Sequence, residues 1–333
     1  MRRASPNVNF DLLVANLLTP PVLFFALGFA ATLVKSDLEI PQPVAKALSL
    51  YLLFAIGLHG GAELSASNAD GALVTLAAAT ALSALLPIAT FFLLRRRVGA
   101  ADAAAIAATY GSISAVTFIT ATSFLDMEGI VWSGHLVAAM ALMESPAILV
   151  AVALARSNGV RAPDLGPDEK AHGPLREAFL SGPVFLLLGA LAIGWACGES
   201  GWKRVEPFAK VPFQGVLCLF LLDMGLVAAR RVAVLRNFGV VLVVYALVAP
   251  LVHGAIGLAV AYTLDLSVGD AILFVVLCAS ASYIAVPAAV RATLPDANPG
   301  VFLPMSLAVT FPFNVAIGIP LYAGAVQSLW STP

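Results

Sequence analysis

The chain has 333 residues, of which 60% are hydrophobic and only 11% charged, with a formal net charge of −1 and a mean hydropathy of +0.95. Soluble domains hold about 45–50% apolar residues, so this composition describes an integral membrane protein and leaves no room for a separate soluble domain. The near-neutral charge excludes a basic surface for nucleic acid, and Cys197, Cys218 and Cys278 are too widely spaced for a metal-ligand pattern, so they read as packing thiols.

Met1-Arg-Arg-Ala-Ser-Pro6 is followed by Asn and Asp before the first apolar run, which reads as a short tail without a cleavable signal pattern. A membrane-spanning helix needs about 20 apolar residues. On that measure helices are predicted near 20–34, 41–58, 72–94, 102–124, 133–155, 182–198, 209–228, 238–264, 269–292 and 303–328, an all-α polytopic membrane protein of about ten spans. The one long hydrophilic stretch, Arg156 to Glu177, contains Pro163, Pro167 and Pro174 and falls midway between the fifth and sixth segments. It divides the chain into a repeat over 1–155, a linker over 156–181 and a second repeat over 182–333.

Lys and Arg are biased to cytoplasmic loops. Five of them (Arg2, Arg3, Lys203, Arg204, Lys210) fall on the side of the N-terminus and the other thirteen on the opposite side. The split places both termini on the non-cytoplasmic side of what reads as a bacterial inner membrane, and the linker inside.

The halves share features in the same order. Gly57-Leu58 matches Gly225-Leu226, Ser112 and Ser114 match Ser280 and Ser282, and Pro146 matches Pro312. Five crossings per copy bring the second copy in from the opposite side, so the repeats are expected to be inverted, with a site at paired helix interruptions. Tyr110-Gly-Ser-Ile-Ser-Ala-Val-Thr117 and Cys278-Ala-Ser-Ala-Ser-Tyr-Ile-Ala285 supply those interruptions in helices four and nine.

Ser112, Ser114, Thr117, Ser280 and Ser282 are therefore candidate ligands for a small anion, because a half-helix that starts at a break aims free N–H groups and a positive dipole end into the cavity. Each serine taken alone also reads as a packing residue bonded back to its own helix. Glu144 and Asp223 are carboxylates at membrane depth, where a charge must pair, bind a cation or face water. Glu144 precedes Ser145-Pro146, and a proline frees carbonyls nearby. With Thr310 and Asn314 in the matching stretch of helix ten it forms a candidate sodium site, the other reading being a structural brace. Asp223 reads as a structural or coupling acid. His59 reads as an interfacial histidine or a gate. No zinc-protease, phosphate-loop or nucleophile-elbow motif is present, so no enzyme is expected.

Phe213-Gln-Gly-Val-Leu-Cys-Leu-Phe-Leu-Leu-Asp-Met-Gly-Leu-Val-Ala-Ala-Arg230, Gly57-Leu-His-Gly-Gly61, Arg291-Ala-Thr-Leu-Pro-Asp-Ala-Asn-Pro299 and Ile319-Pro-Leu-Tyr-Ala-Gly324 resemble the sodium-dependent bicarbonate permease family known from cyanobacteria. The resemblance runs over nearly the whole chain. It implies ten helices in two inverted repeats, a homotrimer, an elevator-like core and gate, a PII-like cytoplasmic regulator, and uptake of bicarbonate driven by sodium near helices four and nine. The chain departs from the cyanobacterial pattern at Tyr283, which stands in place of an acid after the second serine cluster, at Ala285-Val286 in place of Ser-Gly, and at Glu144 in place of Asp. Tyr283 thereby joins the substrate-binding candidates. The sequence reads as a secondary active transporter for a small anion, bicarbonate with sodium. The alternatives are another anion, proton coupling, or a membrane scaffold or sensor that moves nothing.

Overall fold

A computed structural model of the chain describes residues 8–66, 71–160, 182–235 and 239–331. They are mostly helical, with no strand among the described residues. In chain order the helices are α1 (Val8–Leu17), α2 (Pro20–Leu33), α3 (Gln42–Ala66), α4 (Ala72–Val98), α5 (Ala100–Gly111), α6 (Ala115–Met127) and α7 (His135–Ser157). After the linker come α8 (Gly182–Ala209), α9 (Phe213–Leu235), α10 (Val240–Thr263), α11 (Val268–Ala279), α12 (Ala285–Thr293) and α13 (Pro299–Trp330). Seven continuous or nearly continuous helical stretches among the described residues are long and apolar enough to cross a membrane. The chain is thus a multi-pass membrane protein. Most of the predicted linker, 161–181, lies outside the described residues.

The predicted segments recur as helices, with four local differences. The N-terminal tail is helical from Val8 as α1, where Asn16 Nδ2 donates to the carbonyls of Val315 (2.9 Å) and Ala316 (3.1 Å). Pro320 removes the N–H that an α-helix would offer the Ala316 carbonyl four residues on, and the Asn16 side chain supplies a donor there. Helix α3 continues to Ala66, eight residues beyond its predicted end, and α8 continues to Ala209 through a kink at Gly198, whose φ of +57° and ψ of −158° suit glycine. Helix α13 contains Pro304, Pro312 and Pro320 and absorbs them in two π-helical turns, Met305–Thr310 and Asn314–Gly318.

The helices sort into two packed groups. Helix α2 lies along α9 and α3 along α8, with α9 touching α3. Glycine permits these contacts: a Cβ at Gly225 would stand 2.1 Å from the Phe25 carbonyl oxygen, and one at Gly194 would stand 2.2 Å from that of Leu58. Small residues are the means by which membrane helices approach closely. The second group joins α4, α5 and α7, and α10, α11 and α13, with α11 packed on α6. Its centre is the most deeply buried part of the chain, including Ala103 through Ala108 and Ala271 through Ala279.

Candidate functional site

The interruptions predicted in the fourth and ninth segments are present and meet each other. Helix α5 ends at Gly111 and α6 begins at Ala115; α11 ends at Ala279 and α12 begins at Ala285. Ser112 and Ser280 cap the first half-helices in nearly the same conformation, φ −85° and ψ 175° against φ −86° and ψ 170°. The Ser114 N–H donates to Ser280 Oγ (3.0 Å), and the Ser282 N–H donates to the Thr109 carbonyl (2.8 Å). Each break thus satisfies backbone groups freed by the other, which burial requires.

Two carboxylates brace this crossing. Asp102, near the start of α5, accepts from the Asn298 N–H (2.7 Å), ahead of α13. Asp270, near the start of α11, accepts from the Ser133 N–H (2.7 Å) and the Ser133 hydroxyl (2.8 Å), ahead of α7. Each half of the chain thereby holds the loop before the last long helix of the other half. Sequence reasoning missed both acids. The available signal was an acid in the first turn of each half-helix, 168 positions apart like the paired serines.

A cavity of about 40 Å³ opens beside the crossing, about three times the least volume a single water needs. Ser114, Ala115 and Val116 line it from the start of α6, and Ser282, Tyr283, Ile284 and Ala285 from the start of α12. Glu144 enters from α7 and Ser49 from α3, with Phe220 of α9 forming part of the wall. Ser49, which sequence reasoning missed, lies in α3 outside the paired serine clusters.

The predicted anion ligands divide into two sets. Ser114, Ser282 and Tyr283 reach the cavity. The Ser114 hydroxyl accepts from the Thr117 N–H (3.2 Å) and caps α6. The Tyr283 hydroxyl is buried beside Ser114 without completing a hydrogen bond, and its ring packs edge-on against Phe311 at 5.3 Å. Ser112 and Ser280 lie behind the cavity wall, where their hydroxyls donate to the carbonyls of Glu144 (3.2 Å) and Leu277 (2.9 Å). The Thr117 hydroxyl is buried without a partner and does not line the cavity.

The sequence profile of the Na+-dependent bicarbonate transporter superfamily matches residues 20–327. The chain belongs to this family. No curated protein matches it in a sequence search.

Among the described residues no partner contacts the carboxylate of Glu144, which faces the transporter's cavity. Thr310 and Asn314 are engaged elsewhere. The Thr310 hydroxyl donates to the Ala246 carbonyl (2.6 Å), the acceptor that Pro250 leaves free four residues on, and shares a hydrogen bond with Tyr110 (2.7 Å). Asn314 donates to the Ala279 carbonyl (2.9 Å) and accepts from Tyr322 (3.1 Å). No hydrogen bond joins Glu144 to either residue, and no cluster of three His, Cys, Asp or Glu side chains forms among the described residues. Asp223, 8% exposed on α9, lines a wider vestibule of about 490 Å³ with Glu39, Lys46 and Arg230.

Proposed function

We propose that this protein carries bicarbonate into the cell together with sodium, the anion resting where α6 and α12 begin. The observation that carries this reading is the convergence of two helix N-termini and one unpaired carboxylate on a single small cavity. The free N–H groups at Ala115 and Val116 and at Ala285 give positive potential without lysine or arginine. The hydroxyls of Ser114, Ser282 and Tyr283 supply directional donors. Glu144, when ionised, repels an anion in the same cavity, and a sodium ion beside it removes the repulsion. The two ions then bind better together than apart, which is the thermodynamic meaning of coupling. Here the cation's oxygen set centres on Glu144, while Thr310 and Asn314 brace α13.

The wider assembly follows the family reading: ten crossings in two inverted five-helix repeats, a homotrimer in the inner membrane, both termini outside, and a cytoplasmic regulator of the PII type near the linker. The matched backbone at Ser112 and Ser280 and the reciprocal braces from Asp102 and Asp270 support the inverted repeat. Proton coupling is the second reading, favoured by the absence of any cationic partner for Glu144 among the described residues. Uptake of radiolabelled bicarbonate into proteoliposomes decides between them. Accumulation that follows an inward sodium gradient supports sodium symport, accumulation that follows only a pH gradient supports proton coupling, and no accumulation under either refutes both.

A further inference from the structure

The seam between the two helix groups differs at its two ends. Toward the face that carries Lys46 and Arg230, the cavity at the crossing adjoins the 490 Å³ vestibule, and Ser49, Pro183, Phe220 and Ile284 line both. Toward the face that carries Trp132, Trp202 and Lys210, a separate pocket of about 210 Å³ shares no lining residue with the cavity.

Three contacts hold the groups together on that second face. At the first, backbone meets backbone: a Cβ at Gly134, just ahead of α7, would stand 2.0 Å from the carbonyl oxygen of Gly60 in α3. At the second, Gln214 Nε2 of α9 donates to the Ser123 hydroxyl of α6 (2.9 Å), which donates to Gln214 Oε1 (3.1 Å). At the third, the His59 ring meets Trp132 edge-on at 5.8 Å, while Trp202 supports His59 from behind at 4.7 Å. All three bridge one group to the other. On the Lys46 face α9 packs on the first turns of α13, but among the described residues no side-chain hydrogen bond like Ser123–Gln214 joins the groups there, and the vestibule opens beside that contact.

We infer that this structure is the conformer open to the Lys46–Arg230 face, and that the Gly60–Gly134 contact, with Ser123–Gln214 and His59–Trp132, is the closed gate of the opposite face. The missing side chain of Gly134 is what lets the groups meet. Any Cβ there must hold them apart, since its obstruction is a carbonyl rather than a side chain that can rotate away. The gate therefore opens when this backbone contact separates, and the rings and the Ser123–Gln214 pair part with it. The inference rests on the chain being a transporter, but not on which ion it carries.

The test reads accessibility, without substrate, in membrane vesicles of both orientations. In a Cys197→Ser background, whose other two thiols are buried, Ile284→Cys reports on the cavity and Lys210→Cys marks the tryptophan face. A membrane-impermeant methanethiosulfonate reagent should label Ile284→Cys from the Lys46 face, and at least tenfold more slowly from the tryptophan face. Adding Gly134→Ala should raise labelling from the tryptophan face at least tenfold. Gln214→Ala, which removes a bond without adding bulk, should raise it several-fold and serves if the alanine wedge does not fold. Equal labelling from both faces in the starting protein overturns the assignment of the open side. Unchanged labelling in the folded variants overturns the gate. Loss of bicarbonate uptake with this labelling pattern intact would fault the substrate reading and leave the gate standing.

Discussion

Replacing Gly225 with alanine should separate α2 from α9. The added Cβ would stand 2.1 Å from the Phe25 carbonyl oxygen and 2.8 Å from the Phe29 nitrogen. Ordinary contact begins near 3.4 Å, so the helices must part by about 1.3 Å. Both obstructing atoms are backbone, so no rotamer change relieves the clash. The approach is reciprocal, because a Cβ at Gly28 would meet the Leu222 carbonyl oxygen at 2.0 Å. Overpacking costs about 1–3 kcal/mol, and a contact between two backbones belongs at the top of that range. Removing glycine from a helix returns up to about 1 kcal/mol, which leaves a net loss of about 2 kcal/mol. Gly215→Ala in the same helix is the control, since nothing lies within 4 Å of its Cβ position, and it should be neutral or stabilising by about 0.5 kcal/mol. Reversible unfolding of the purified protein in mixed micelles, followed by the fluorescence of its 4 tryptophans, measures both. Equal stability of Gly225→Ala and Gly215→Ala would refute the close-packed α2–α9 contact.

Ser114→Ala combined with Ser282→Ala should lower bicarbonate uptake at least tenfold while the protein still reaches the membrane; unchanged uptake would mean that these serines only pack. Glu144→Gln keeps the shape of the cavity and removes the charge, so half-maximal sodium should rise by tenfold or more, about 1.4 kcal/mol, and a sodium dependence equal to the parent's would make Glu144 a brace. Asp270→Ala removes two charge-assisted hydrogen bonds, each worth about 1.5–3 kcal/mol, and strands the Ser133 N–H, for a loss of about 3 kcal/mol in the same unfolding assay. Ser133→Ala should cost less, because its N–H still reaches Asp270. The double variant should fall short of the sum of the two losses, and strict additivity would show that the pair does not interact.

What depends on short-range chemistry was legible in the residues alone. Segment length and hydropathy made the chain a membrane protein, because hydrocarbon tolerates only backbone that satisfies its own hydrogen bonds. Ser112 to Ser114 and Ser280 to Ser282 marked the helix interruptions, since small hydroxylated residues weaken a helix wherever they cluster. Long motifs carried the family. Tertiary structure decided which of these local features share a space. It placed Ser114, Ser282, Tyr283 and Glu144 on one cavity and turned Ser112 and Ser280 inward, although all four serines look alike in sequence. It drew Thr310 to the Ala246 carbonyl that Pro250 frees, 64 residues away in the chain, where spacing had suggested an oxygen ligand beside Glu144. Asp102 and Asp270 gained their meaning only from Asn298 and Ser133. A hydroxyl or carboxylate at membrane depth must find a partner, but the choice among partners depends on which helices lie against each other, and that is a property of packing that no local run of residues contains.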